Sequence, residues 1–141
     1  MFTTTIITAA NRADHGSLLD NLFVLRHRIF VECLKWTLPM ARNGREIDQF
    51  DDARATYVVV SDDQFAVRTS IRLHDTSEPT LLTGVFAHLV DGRLPSSPRI
   101  WEGTRMLVNP DAGPDGGRSL TEMLHSCVEY GIRATCQKPE S

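Results

Sequence analysis

Between residues 17 and 35 the apolar positions Leu18, Leu22, Leu25 and Ile29 recur at spacings of four, three and four, the period of an amphipathic helix. Leu22, Arg26 and Phe30 form an adjacent i, i+4 row, so Arg26 and Phe30 share one side of that helix. Over residues 38–52 the periodicity vanishes and Pro39, Asn43, Gly44 and four acids gather, which predicts a long loop of the kind that often carries function. Residues 55–60 and 65–73 then read as strands joined by the turn Ser61-Asp62-Asp63-Gln64, a hairpin. Alternation in the second strand puts Phe65, Val67, Thr69, Ile71 and Leu73 on one face and Arg68, Ser70 and Arg72 on the other. A short helix over residues 83–90, a breaker-rich stretch over 91–98 and a strand over 99–108 follow. After the glycine-rich residues 113–118, Ser119-Leu120-Thr121-Glu122 is a capping-box sequence. It opens a helix with the stripe Leu120, Met123, Leu124, Cys127 and Val128, expected to end near Gly131. The order of elements predicts an α+β or α/β layer fold, and 141 residues suit one domain over residues 1–141.

Composition narrows the partners. A net charge of −3 supplies no basic stripe, so nucleic acid is not expected to bind. Thirteen of the fifteen basic residues are Arg, only Lys35 and Lys138 being Lys. Arg is suited to bidentate contacts with carboxylates and phosphates, although a GC-rich genome would give the same bias. Cys33, Cys127 and Cys136 contain no Cys-x-x-Cys pair, which argues against a disulfide framework and a zinc site, and no metal is expected. With no signal-like N-terminus and no long apolar run, a soluble, cytoplasmic protein without membrane insertion is expected.

The candidate chemistry lies in a few polar residues. Asp48 and Asp51 read either as a solvated acidic patch or as partners for arginines on strand faces, Arg72 and Arg105 being the natural ones. Such a network also suits the ammonium and carboxylate ends of an amino-acid-like ligand. Glu102 beside Trp101 reads equally as a general base raised by an apolar neighbour or as half of a structural ion pair. Strict alternation puts Glu102 and Thr104 on one face and Arg105 on the other unless Gly103 marks a bulge. Phe30 and Trp36 read as core, or as an aromatic face for a sulfonium or ammonium. The five histidines show no ligand spacing.

The pattern Leu25-Arg26-x-x-x-Phe30, Trp36, Asp48-x-Phe50-Asp51, Tyr57, Arg72, Phe86 and Trp101-Glu102-x-Thr104-Arg105, spread over residues 18–130, resembles the acyl-homoserine lactone synthases, the autoinducer synthases of LuxI type. The resemblance implies a GNAT-like acyltransferase fold, with a mixed, mostly antiparallel sheet flanked by helices. It implies transfer of an acyl chain from acyl carrier protein, or acyl-CoA, to the amine of S-adenosylmethionine, then lactonisation with release of methylthioadenosine, for quorum sensing. No cofactor is expected beyond these substrates. Carried onto this chain, Arg26, Phe30 and Trp36 would close over S-adenosylmethionine. Asp48, Asp51, Arg72 and Arg105 would form a charged network, with Asp48 touching the substrate amine. Glu102, with Thr104 and Arg105 beside it, would deprotonate that amine, and Phe86 and Trp101 would shape the acyl cleft. Family members continue past the helix at residues 119–130, so the chain is expected to be truncated at its C-terminus, with residues 135–141 forming no strand and the strand at 99–108 left as an edge for self-association. A second reading is another GNAT-type N-acyltransferase whose residues 113–119 cradle the diphosphate of acyl-CoA, and a third is an inactive relative that keeps the motifs.

Overall fold

The computed structural model describes residues 1–136; of the C-terminal tail named above, residues 137–141 lie outside the described part. Four strands, β1 (Thr3–Ile7), β2 (Thr56–Ser61), β3 (Val67–Asp75) and β4 (Trp101–Val108), form one antiparallel sheet in the order β1-β2-β3-β4. Helix α1 (Gly16–Arg26) packs on one face and α3 (Gly116–Cys136) on the other, while the short α2 (Leu81–Gly84) follows β3. β1 is an addition to the sequence reading. Its run Thr-Thr-Thr-Ile-Ile is β-branched throughout, which stiffens χ1 and favours a strand.

Period-2 alternation explains the two cores. In β2, Tyr57 and Val59 face α1 with Leu18, Leu22 and Phe23, while Val58 and Val60 face α3 with Leu73 and Met123. Both faces are covered, so every residue of β2 is buried. In β3 the expected single apolar face is broken. A bulge shifts the register between Val60 and Ser61, moving Val67 to the α1 side while Ile71 and Leu73 remain on the α3 side. Phe65 leaves the strand altogether, sitting exposed in the hairpin turn at φ 62°.

The helices differ from expectation at their ends. The first helix runs as α-helix only to Arg26, then continues over His27–Cys33 with π-type hydrogen bonding and stops where Lys35 turns to φ 59°. The expected helix over residues 83–90 is two short pieces, α2 and a 3₁₀ turn at Ala87–Leu89, with a capping box formed by Thr80 and Thr83. α3 starts three residues before the predicted box: Ser119 lies inside it and donates to the Gly116 carbonyl at 2.9 Å. It also passes through Gly131 to Cys136, since Gly131 in an exposed helix costs only about 1 kcal/mol relative to Ala. Its stripe is split. Leu120, Met123, Cys127 and Tyr130 meet the sheet, whereas Leu124, Val128 and Ile132 stay exposed. Among the described residues no helix is long and apolar enough to cross a membrane.

Candidate functional site

The loop between α1 and β2 brings three carboxylates to the α1 face of the sheet, where three arginines from different elements meet them. Arg26, from the last turn of α1, places Nε and Nη2 on Glu46 Oε1 at 3.0 and 2.7 Å, and Nη1 and Nη2 on Asp51 at 2.7 and 2.9 Å. Arg72, from β3, donates to Asp48 Oδ1 at 2.6 Å, lies 3.1 Å from Asp51 Oδ1 and places Nε on Thr104 Oγ1 at 3.0 Å. Arg105, from β4, places Nε on Glu46 at 2.7 Å and Nη2 on Asp48 at 3.1 Å. The Arg26 and Arg72 side chains are each 1% exposed. Three cations and three anions therefore balance in a nearly dry site, the condition under which buried charge is tolerable.

Arg105 reaches this face because of a bulge, though not at the glycine. The β3–β4 register shifts between Ser70 and Arg72, and Arg105 sits there at φ 54°. That left-handed backbone is unfavourable for a non-glycine residue. Its two charged partners hold it there, and Arg105 joins Thr104 instead of opposing it. Gly103 has another role: a Cβ there would meet Ile71 Cδ1 at 2.8 Å on the opposite face.

The network sets its own ionisation. Burial opposes the charges of Asp51 and Arg26, but their mutual hydrogen bonds and attraction outweigh it, holding the Asp51 carboxyl well below its ordinary range and the Arg26 guanidinium above its own. Burial also opposes the charge of Arg72, which its bonds to Asp48 and the Asp51 charge nevertheless raise. Tyr57 donates its hydroxyl to Asp51 at 2.7 Å, and burial together with the Asp51 charge pushes its phenol up. Although Glu46, Asp48 and Asp51 converge as metal ligands would, arginines already supply the positive charge.

This network floors a cavity of about 790 Å³. Phe30, Trp36, Glu46, Asp48, Thr104 and Arg105 line the charged end, and Leu38, Met40, Leu81, Val85, Phe86 and Met106 give it an apolar wall. Phe30 and Trp36 stack with centroids 4.8 Å apart and 8° between planes. The Trp36 amide donates to the Phe30 carbonyl at 2.9 Å, closing the chain back over the end of the π-type segment after the turn at Lys35.

Two expected site residues make contacts other than those expected. Trp101 is not in the cleft: its ring packs edge-on against Tyr130 of α3, 5.7 Å away on the other face of the sheet, because it alternates with Glu102 along β4. The apolar neighbour expected beside the Glu102 carboxyl is thus on the wrong face. Glu102 instead accepts the amides of Leu81 and Leu82 at 3.2 and 2.9 Å, tying the start of α2, and with it the wall formed by Leu81, Val85 and Phe86, to β4. Glu46 was missed by sequence reasoning. The signal available was its place in the same loop, two residues before Asp48 and five before Asp51. In the 113–119 loop Asp115 offsets the charge of Arg118, and Gly113 turns at φ 63°.

His74 lies on the same face of β3 as Arg72, edge-on to the Phe50 ring; both ring nitrogens are buried without a hydrogen-bond partner, and Nε2 stands 3.8 Å from Asp52 Oδ1. Burial, and then the Arg72 charge, lowers its pKa. The unfolded chain takes up a proton near pH 6.5 while folded His74 does not, so stability is full above that pH and is lost as pH falls towards the folded value. We expect urea unfolding to show His74→Phe less weakened than the parent between pH 7 and pH 5.5, a difference of at most about 1.4 kcal/mol per pH unit. Parallel losses in the two proteins would refute this.

The sequence model of the family described as Autoinducer synthase matches residues 10–133. The chain is 36% identical over 130 residues to an isovaleryl-homoserine lactone synthase of Bradyrhizobium diazoefficiens, an alignment covering 89% of this chain and 58% of that protein. It is 43% identical over 82 residues to an acyl-homoserine-lactone synthase of Pseudomonas chlororaphis, covering 57% and 42%. The fold superposes on the CoA-dependent acyl-homoserine lactone synthase BjaI, solved with SAM and isopentyl-CoA, with a TM-score of 0.83 and 33% identity over 94% of this chain and 62% of that one. The chain thus spans about half the length of the curated relatives it matches.

Proposed function

The chain belongs to the autoinducer synthase family, and from that premise we propose that it is an acyl-homoserine lactone synthase joining an acyl chain to the amine of S-adenosylmethionine. The observation that carries the reading is the cavity, lined both by members of the charge-balanced network and by a set of apolar side chains. The polar end suits the zwitterionic part of S-adenosylmethionine, and the stacked Phe30–Trp36 pair offers a π-face to its sulfonium. The apolar wall of Leu81, Val85, Phe86 and Met106 suits an acyl chain.

In this reading the amine attacks the thioester carbonyl, and its proton passes to Glu102, directly or through water. Each Glu102 oxygen already accepts one backbone amide and keeps a second lone pair for that purpose. In the same reading a backbone N–H on β4 holds the thioester oxygen. The homoserine carboxylate then closes on the carbon bound to sulfur, expelling methylthioadenosine. That step needs orientation more than acid–base help, since the sulfonium is a good leaving group. The donor is a thioester of CoA or of acyl carrier protein. BjaI, described as CoA-dependent, supports the former.

Mass spectrometry of products from the purified chain, given S-adenosylmethionine and panels of acyl-CoA and acyl carrier thioesters, tests this. An acyl-homoserine lactone accompanied by methylthioadenosine is expected. Acylation of other amines with no methylthioadenosine would favour the second reading, a GNAT-type acyltransferase.

A further inference from the structure

The charged network leaves one acceptor unused. Asp51 Oδ1 accepts from Arg26 Nη1 and the Tyr57 hydroxyl, and Oδ2 from Arg26 Nη2 and the Asp48 amide. Asp48 Oδ1 accepts from Arg72 Nη1 and the Phe50 amide, and Oδ2 from Arg72 Nη2 and Arg105 Nη2. Glu46 Oε1 accepts three donors, Arg26 Nε, Arg26 Nη2 and Arg105 Nε. Glu46 Oε2 accepts none, although it is fully buried. Five of the six carboxylate oxygens therefore carry two or more donors and the sixth carries nothing.

A buried carboxylate oxygen without a donor is costly and rare. Here it belongs to a residue that lines the same cavity as Phe30 and Trp36. A ligand that brings a compact cation with several N–H donors would satisfy it, and an ammonium is such a group. Asp48 is poorly placed for that role, because both its oxygens are already doubly engaged.

We propose that Glu46, through Oε2, seats the α-ammonium of the amine substrate, and that Asp48 serves to hold Arg72 and Arg105. The inference rests on the S-adenosylmethionine reading above. In it Glu46 binds and orients the amine, while Glu102 takes the proton.

Calorimetric titration of the parent chain and Glu46→Gln with S-adenosylmethionine and with methylthioadenosine, which has no α-amino group, separates the possibilities. Loss of one charge-assisted hydrogen bond should weaken S-adenosylmethionine by about 10- to 100-fold in the variant and methylthioadenosine by no more than about two-fold. Equal weakening of both ligands, or of neither, would overturn the Glu46 assignment while leaving the substrate reading intact. Binding of neither ligand by the parent would overturn both. Because Glu46 also holds Arg26 and Arg105, the parent chain labelled with 13C-glutamate supplies a second readout that does not depend on the variant folding. Its Glu46 Cδ resonance should move on adding S-adenosylmethionine and stay in place with methylthioadenosine. An unmoved resonance with bound S-adenosylmethionine would refute the contact.

Discussion

Arg26→Met is expected to lower the unfolding free energy by about 3–5 kcal/mol, the cost of leaving buried charge without its partner. The substitution keeps an unbranched side chain of similar length but removes every hydrogen bond from Arg26 to Glu46 and Asp51. Asp51 keeps Arg72 and Tyr57, and Glu46 keeps only Arg105. Two anions would then share too little positive charge in a region closed to water. For a domain of this size the expected fall in Tm is roughly 10–20 °C. Urea unfolding at pH 7 measures it, with Arg45→Met as the control: Arg45 pairs with Asp20 at the surface, where an ion pair contributes little. Comparable losses from the two substitutions would mean that the buried network does not hold the loop against the sheet.

Glu102→Gln is expected to lower turnover by about 10²- to 10⁴-fold, the usual contribution of a positioned general base, while S-adenosylmethionine affinity changes little. The amide oxygen of Gln still accepts from a backbone N–H, so the tie to Leu81 and Leu82 survives in part. Glu102→Ala removes the tie altogether. That variant should lose turnover and also shift acyl-chain preference, because the wall carrying Leu81, Val85 and Phe86 is no longer held to β4. Steady-state rates across a series of acyl thioesters compare the three proteins. If Glu102→Gln turns over like the parent while Glu102→Ala alters chain preference, Glu102 is a positioning residue and the proton goes elsewhere.

Much of this fold was legible from local pattern. The apolar spacing of residues 18–29 marks α1, and the alternation of β2 with the polar turn after it marks the hairpin, because those signals come from side chains one or two turns apart. Boundaries were less readable. α3 starts at Gly116 and passes through Gly131, and its packing through Met123 against Val58 and Leu73 lies outside any local window.

For the site, residue types and order along the chain were sufficient to single out Arg26, Phe30, Trp36, Asp48, Asp51, Arg72, Thr104 and Arg105, all of which the fold brings to one network and cavity. Charge composition in the 38–52 loop also made buried arginines plausible, since buried guanidinium requires carboxylate partners. What tertiary structure alone decided was facing. A strand side chain changes face with a register slip of one residue, so the bulges at Val60/Ser61 and at Arg105 settled where Val67 and Arg105 point. The same alternation sent Trp101 to α3 and Glu102 to the first amides of α2. Nor did any spacing mark Glu46 as different from its neighbours. Its distinction is a count of hydrogen-bond donors converging from α1 and β4, and that count exists only once residues 26, 46 and 105 are brought together.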